Sequence, residues 1–170
     1  MATSTALTFI FGLALSLTVV NSEQSFTCDF ERDTCGFTNV EGNTATWTRK
    51  EIKLGNREGY VMIVELNDTT VQSAKMVTPY FELHDEIPGC FTFDYYTSGN
   101  GIQYFNAQQE RNFGIAAIWL FDKKSSGWQK ARVSVTIDES TRFIFHAVID
   151  PSAGESVVAI DNVVLKLSKC

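Results

Sequence analysis

Apart from one long apolar run near its start, the chain is a series of short segments in which aromatic and β-branched residues alternate with polar ones, separated by Gly, Asn, Asp or Ser. Residues 90–96 show the alternation most cleanly. Phe91, Phe93 and Tyr95 share one parity and Cys90, Thr92, Asp94 and Tyr96 the other, the pattern of a strand with one buried face. Residues 60–66 and 71–77 predict further strands, the second stopping before Pro79. Val133, Val135 and Ile137 alternate, Phe143, Phe145 and Ala147 share a face of a strand running to about Ile149, and residues 157–167 supply the last long one. Residues 114–122 are apolar on both parities, which predicts a central strand covered on both faces. Residues 97–112 open with Ser98-Gly99-Asn100-Gly101 and close with Gln108-Gln109-Glu110-Arg111-Asn112, and predict a long loop at one end of the fold. No segment predicts a helix. Many strands between turn signals predict an all-β, antiparallel two-sheet sandwich of Greek-key or jelly-roll order.

The exception is residues 6–20, apolar save for Thr8, Gly12, Ser16 and Thr18. A membrane span needs roughly 20 apolar residues, and this run is shorter. Small side chains at Val20-Asn21-Ser22 complete a secretory signal peptide over residues 1–22, cleaved after Ser22. Residues 23–170 then form one domain, secreted into an extracellular setting without direct membrane insertion. The leader holds no charged residue, so the formal net charge of −6 belongs to the remainder. With bases spread along the sequence and no basic run, that charge argues against nucleic acid or an anionic membrane as partner.

Export also changes the reading of Cys28, Cys35, Cys90 and Cys170. In an oxidising compartment an even count is a disulfide framework, and four cysteines allow three connectivities. A zinc site is disfavoured because there is no close Cys-x-x-Cys pair and His84 and His146 lie far apart.

Several of these residues fall into an ordered set of motifs. Cys28-Asp29-Phe30-Glu31 is followed by Cys35-Gly36-Phe37, then Trp47-Thr48-Arg49, Gly59-Tyr60, Thr78-Pro79 and the run from Cys90 to Tyr96. Trp128, Phe143-Ile144-Phe145 and Val158-Ala159-Ile160-Asp161-Asn162-Val163 precede the final cysteine. In this order, over about residues 26–170, the chain resembles the MAM domain, the extracellular adhesion module of meprins, neuropilins and receptor tyrosine phosphatases. The resemblance implies a two-sheet jelly roll and the disulfides Cys28–Cys35 and Cys90–Cys170. It also implies noncovalent association with extracellular protein, a second copy of the chain included.

Asp161 interrupts an apolar strand on the parity of Val157, Ala159, Val163 and Leu165. A carboxylate facing the core must be paired, hydrogen-bonded at a strand bulge or bound to a cation. The resemblance implies the last through Glu31 and Asp161, with calcium as the cation because it prefers oxygen ligands. The acids that the family usually carries before its first tryptophan are replaced here by Asn43-Thr44-Ala45-Thr46, leaving backbone carbonyls to complete the set.

No nucleophile, base and orienting group stand in a recognisable arrangement, so no enzyme is predicted. His146 lies on the strand face opposite Phe143 and Phe145, and His84 falls in a polar turn. Ile102, Tyr104 and Phe105, within the expected loop, are the candidate protein contacts. The alternative is a carbohydrate-binding module using Tyr104 and Phe105, or Trp128, as a platform, with Trp47 and Trp119 in the core. Asn67-Asp68-Thr69 is a glycosylation sequon between two strands and predicts an exposed turn.

Overall fold

The computed structural model describes residues 26–81, 83, 85–112, 114–122 and 127–170; the expected leader and His84 lie outside them. Among the described residues the strands are β1 (Phe26–Cys28), β2 (Thr38–Asn39), β3 (Thr46–Leu54), β4 (Arg57–Glu65), β5 (Gln72–Val77), β6 (Ile87–Ser98), β7 (Ile102–Arg111), β8 (Gly114–Leu120), β9 (Gly127–Ile137), β10 (Arg142–Ile149) and β11 (Val157–Lys166). They form two antiparallel sheets. The larger runs β3-β4-β11-β6-β9 with β1 also on β11, and the smaller runs β2-β5-β10-β7-β8. This is the two-sheet sandwich that the alternation predicts.

The alternating phenylalanines meet between the sheets. Phe91 of β6 stacks on Phe143 of β10 with ring centroids 4.0 Å apart, and Phe93 meets Phe145 edge-on at 4.9 Å. Trp47 of β3 is buried beside Phe105 and Phe145, its indole N–H donating to the Ala74 carbonyl at 3.3 Å. Burying a large aromatic contributes about 2–3 kcal/mol, so this layer dominates cohesion.

β11 departs from simple alternation. Its register against β6 shifts between Asp161 and Val164, and Asn162 takes a left-handed φ of 47°. Before this bulge Val158 and Ile160 face the core, and after it Val163 and Leu165 do. Asp161 therefore does not share the inward parity that the sequence implies for it. It lies on the outer face of the larger sheet, at the position opposite Asp94.

The expected long loop is another departure. Residues 97–112 finish β6, turn through Gly99–Gly101 and form β7, the neighbour of β10 in the smaller sheet. Its aromatics and Gly-rich opening resemble loop composition, but Ile102, Phe105 and Ala107 of β7 are buried in the core.

The cysteines pair as Cys28–Cys35 and Cys90–Cys170. The first closes a turn in which Phe30 and Cys35 take left-handed φ values of 57° and 50° and Gly36 one of 79°. A Cβ on Gly36 would sit 3.4 Å from Pro79, so the glycine serves both the turn and its packing on the Thr78-Pro79 element. Arg49 holds this turn from β3: Nε donates to the Phe30 carbonyl at 2.6 Å and Nη2 to the Glu31 carbonyl at 2.7 Å. The second disulfide ties the chain's end to β6, across a sequence separation of 80 residues against 7 for the first. On a chain-entropy basis the two contribute about 4.5 and 2.5 kcal/mol respectively. Replacing Cys90 and Cys170 together by Ala should therefore lower unfolding free energy by more than the same change at Cys28 and Cys35, as measured by urea denaturation of the two double variants.

Candidate interaction surface

Two of the three residues expected at a contact loop are core. Ile102 and Phe105 are 5% and 1% exposed, Phe105 pointing between the sheets toward Trp47, Tyr95 and Trp119. The reason is the strand itself: Phe105 and Ala107 take the inner parity of β7, and a register shift against β10 between Val148 and Ile149 turns Ile102 inward as well. Tyr104 takes the outer parity and is 36% exposed, its ring edge-on to His146 at 5.2 Å.

β8 replaces them as the exposed apolar element. It is the edge of the smaller sheet, not a central strand. A register shift between Ala107 and Gln108 places Ala107 opposite Trp119, but Gln108 opposite Ala117 and Glu110 opposite Ile115. Trp119 turns inward onto Phe93 and Tyr95, with centroids 5.1 and 4.7 Å away. Ile115, Ala117 and Leu120 turn outward together, Ile115 and Leu120 being 60% and 61% exposed. The bulge thus explains apolar residues on both parities without, among the described residues, any cover on the outer face. Leu120 is opposite Asn106, so Tyr104 is its diagonal neighbour on the same face.

On the larger sheet, Asp161 and Asp94 converge on Arg57 of β4. Nη1 lies 2.8 Å from Asp161 Oδ2 and Nη2 2.9 Å from Asp94 Oδ2. The guanidinium also covers the Trp128 ring at 4.0 Å, while the indole N–H donates to the Leu54 carbonyl at 2.8 Å. Asn162 adds its backbone N–H to Asp161 Oδ1 at 2.7 Å and its amide to Asp94 Oδ2 at 3.0 Å. Burial opposes charge on Asp94, but Asn162, Arg57 and Lys130 outweigh it and hold its carboxyl below the usual range. At Asp161 burial prevails over the Asn162 N–H and Arg57, and its carboxyl is pushed up.

Glu31 has a different partner. Its Oε1 accepts from the Tyr60 N–H at 3.2 Å, and a Cβ on Gly59 would approach that oxygen to 2.5 Å, so the carboxylate needs glycine there. The cationic partner of Asp161 is thus a guanidinium and the partner of Glu31 a backbone amide; among the described residues no group of three or more His, Cys, Asp or Glu could hold a metal. Trp128, covered by Arg57 and edged by Tyr96 at 5.6 Å, is no open sugar platform, and neither is buried Phe105. Asn67 is exposed, its amide donating to the Thr44 carbonyl at 2.9 Å. That bond uses one of two amide hydrogens, so it is compatible with a glycan.

His146 lies on the outer face, as its parity predicts, with Nε2 3.0 Å from Ser73 Oγ. Burial, aided by the Lys75 charge, lowers its pKa to about 4.

A feature with no sequence signature is a convergence of bases. Lys130 and Arg132 of β9, Lys166 of β11 and Lys169 line one pocket with Cys90, Thr92 and Ser168. Bases spread along the chain are gathered by strand pairing, which a scan for basic runs does not see.

The family model of the MAM domain, meprin/A5/mu, matches residues 28–170. No curated protein matches the chain. Among solved structures, the K1 cleaved adhesin domain of Lys-gingipain from Porphyromonas gingivalis is similar with a TM-score of 0.60 and 12% identity, over 85% of this chain and 99% of that one. The N-terminal endo-1,4-beta-D-xylanase 10B modules of Clostridium thermocellum, complexed with xylohexaose, give a TM-score of 0.58 and 14% identity over 84% of this chain and 28% of that one. A CBM29-2 mutant complexed with mannohexaose gives a TM-score of 0.53 and 14% identity over 86% and 93%. At these identities the likeness is one of fold.

Arg57→Gln leaves two nearly buried carboxylates side by side and should cost about 3 kcal/mol at pH 7 in chemical denaturation. The loss should shrink at pH 4, where protonation relieves the repulsion; an unchanged loss would mean that the guanidinium acts by packing on Trp128 alone. For His146, the unfolded chain takes up a proton near the ordinary value of 6.5 and the folded chain only near 4. Its contribution is therefore intact above that upper value and lost as pH falls through the window. His146→Gln should flatten the decline of melting temperature across that interval.

Proposed function

The chain belongs to the MAM domain family, and from that membership we propose that it works as a secreted, extracellular association module, binding protein through the β8 end of the smaller sheet. The observation that carries this reading is an uncharged edge strand whose outward Ile115 and Leu120 are each about three-fifths exposed.

Edge strands expose unpaired backbone groups, and proteins usually blunt them with charge, brevity or cover. β3, an edge of the larger sheet, carries Arg49, Lys50, Glu51 and Lys53, and β9, the opposite edge, carries Lys130 and Arg132. β2, at the far edge of the smaller sheet, has two residues. Among the described residues β8 has none of these devices. An extended segment of another polypeptide can add to it edge to edge, with Tyr104, Ala117 and the two aliphatic side chains supplying apolar contact. The β8 strand of a second copy, running antiparallel, is such a segment. A glycan on Asn67 would sit at the turn between β4 and β5, away from β8.

The reading is non-catalytic. It is also preferred to neutral-sugar recognition on an aromatic platform, because Phe105 is core and Trp128 is covered by Arg57.

Replacing Ile115 and Leu120 together by Lys should weaken self-association in sedimentation, or capture of an extracellular protein by the purified domain, by more than tenfold, since each buried aliphatic side chain contributes about 1.5–3 kcal/mol. The melting temperature should hardly change, because both side chains are exposed. Undiminished binding would move the contact to another face. A domain that stays monomeric at high concentration and captures no extracellular protein would overturn the association reading.

A further inference from the structure

We propose that the outer face of the larger sheet carries a second binding site, for a sulfated polysaccharide, built from Lys130, Arg132, Lys166 and Lys169 beside the Cys90–Cys170 disulfide. These bases surround a pocket of about 360 Å³ whose lining, among the described residues, contains no Asp, Glu or aromatic side chain.

The pairing of three strands assembles it. On β6, Thr92 lies opposite Arg132 of β9 and Val164 of β11, while Cys90 lies opposite Lys166. Lys130 is two residues from Arg132 on the same face, about 7 Å along the strand, and β9 and β11 stand two strand spacings apart, about 10 Å. The disulfide brings Cys170, the last residue of the sequence, back over Cys90, and Arg132 donates to a main-chain oxygen of Cys170, which sets Ser168 and Lys169 at the rim and leaves the three lysines as the freer cations. The cations therefore span a length suited to several charges along a chain.

Their charge is largely uncompensated by side chains. Lys130 lies 3.4 Å from Asp94, a carboxylate already shared with Arg57 and Asn162. Among the described residues no side-chain carboxylate pairs with Arg132, Lys166 or Lys169. In a chain of net charge −6, four of the 14 bases converging on one pocket concentrate positive potential against the general field.

The lining selects among polyanions. Without an aromatic ring it offers no stacking surface for nucleobases or for neutral sugar faces. Ammonium and guanidinium groups with Thr92 and Ser168 hydroxyls suit sulfate oxygens, which stay ionised at every physiological pH. The disulfides fit an oxidising, extracellular compartment, where a sulfated polysaccharide is a polyanion of this kind.

The test measures binding of the intact secreted chain to immobilised heparin, to its desulfated form and to single-stranded DNA, at rising salt. Heparin should bind and release as salt rises, and the desulfated polymer should not bind. Lys166→Gln with Lys169→Gln, at exposed positions without an ion pair among the described residues, should weaken heparin binding about 25-fold, roughly fivefold for each contact charge removed. The same change at Lys50 and Lys53, on the far edge of the same sheet, should weaken it less than threefold. Absence of heparin binding at physiological salt, equal losses in the two double variants, or tighter binding to DNA would each overturn the assignment.

Discussion

The irregularity on which most of this architecture turns is the bulge at Asp161 and Asn162 in β11. A strand strictly alternating through this segment could not bury Val158 and Ile160 and also Val163 and Leu165, because the two pairs differ in parity. The extra residue, with Asn162 in left-handed conformation, allows both. It also divides the side of β11 facing away from β6: Ala159 and Ile160 pair with β4, and residues 163–165 pair with β1. The turn closed by Cys28 and Cys35 is thus held against the sheet through the second half of the same strand.

The bulge creates an electrostatic demand as well. Asp161 emerges beside Asp94 on a face where both are nearly covered, and two adjacent carboxylates there are stable only with a cation between them. Arg57 meets the demand from the start of β4, folding the β3–β4 hairpin tip over Tyr96 and Trp128. The same hairpin supplies Trp47 to the core, Arg49 to the Phe30 and Glu31 carbonyls, and Gly59-Tyr60 to the Glu31 carboxylate. The motifs that mark the family in one dimension are therefore each other's partners in three.

This accounts for what could be read in advance. Alternating strands such as β6 and β10 were legible because their periodicity is uninterrupted and their inner residues are large. The motif set carried the disulfide pairing, which four cysteines alone leave open. β3 escaped because its edge position favours charged residues, which mask the single deeply buried Trp47. β7 was mistaken for a loop because its outer residues are polar and its start is rich in glycine. The outward face of Asp161 and the edge position of β8 were illegible for one shared reason, that a bulge shifts parity at a point the residue types do not mark. Pairing and hydrogen bonding at a bulge, two of the fates open to Asp161, nevertheless both hold. Convergent bases were hidden because strand order, not chain order, decides which side chains meet.

The two surfaces proposed for binding follow from how the fold spends its carboxylates and its apolar residues. Arg57 and Asn162 draw Asp94 and Asp161 into one network, so among the described residues the bases farther along β9 and β11 are left with a single shared side-chain acid, at Lys130. An acidic chain can then still present a basic pocket, since net charge fixes the far field while local pairing fixes what a ligand meets at contact. On the smaller sheet, the β7–β8 bulge divides the apolar residues of β8 between core and solvent, turning Trp119 in and Ile115 and Leu120 out. One site is thus ionic and weakened by salt, the other apolar and indifferent to it. They lie on different sheets, so occupancy of the pocket need not block the β8 edge, and a domain held by polysaccharide could still add a protein strand.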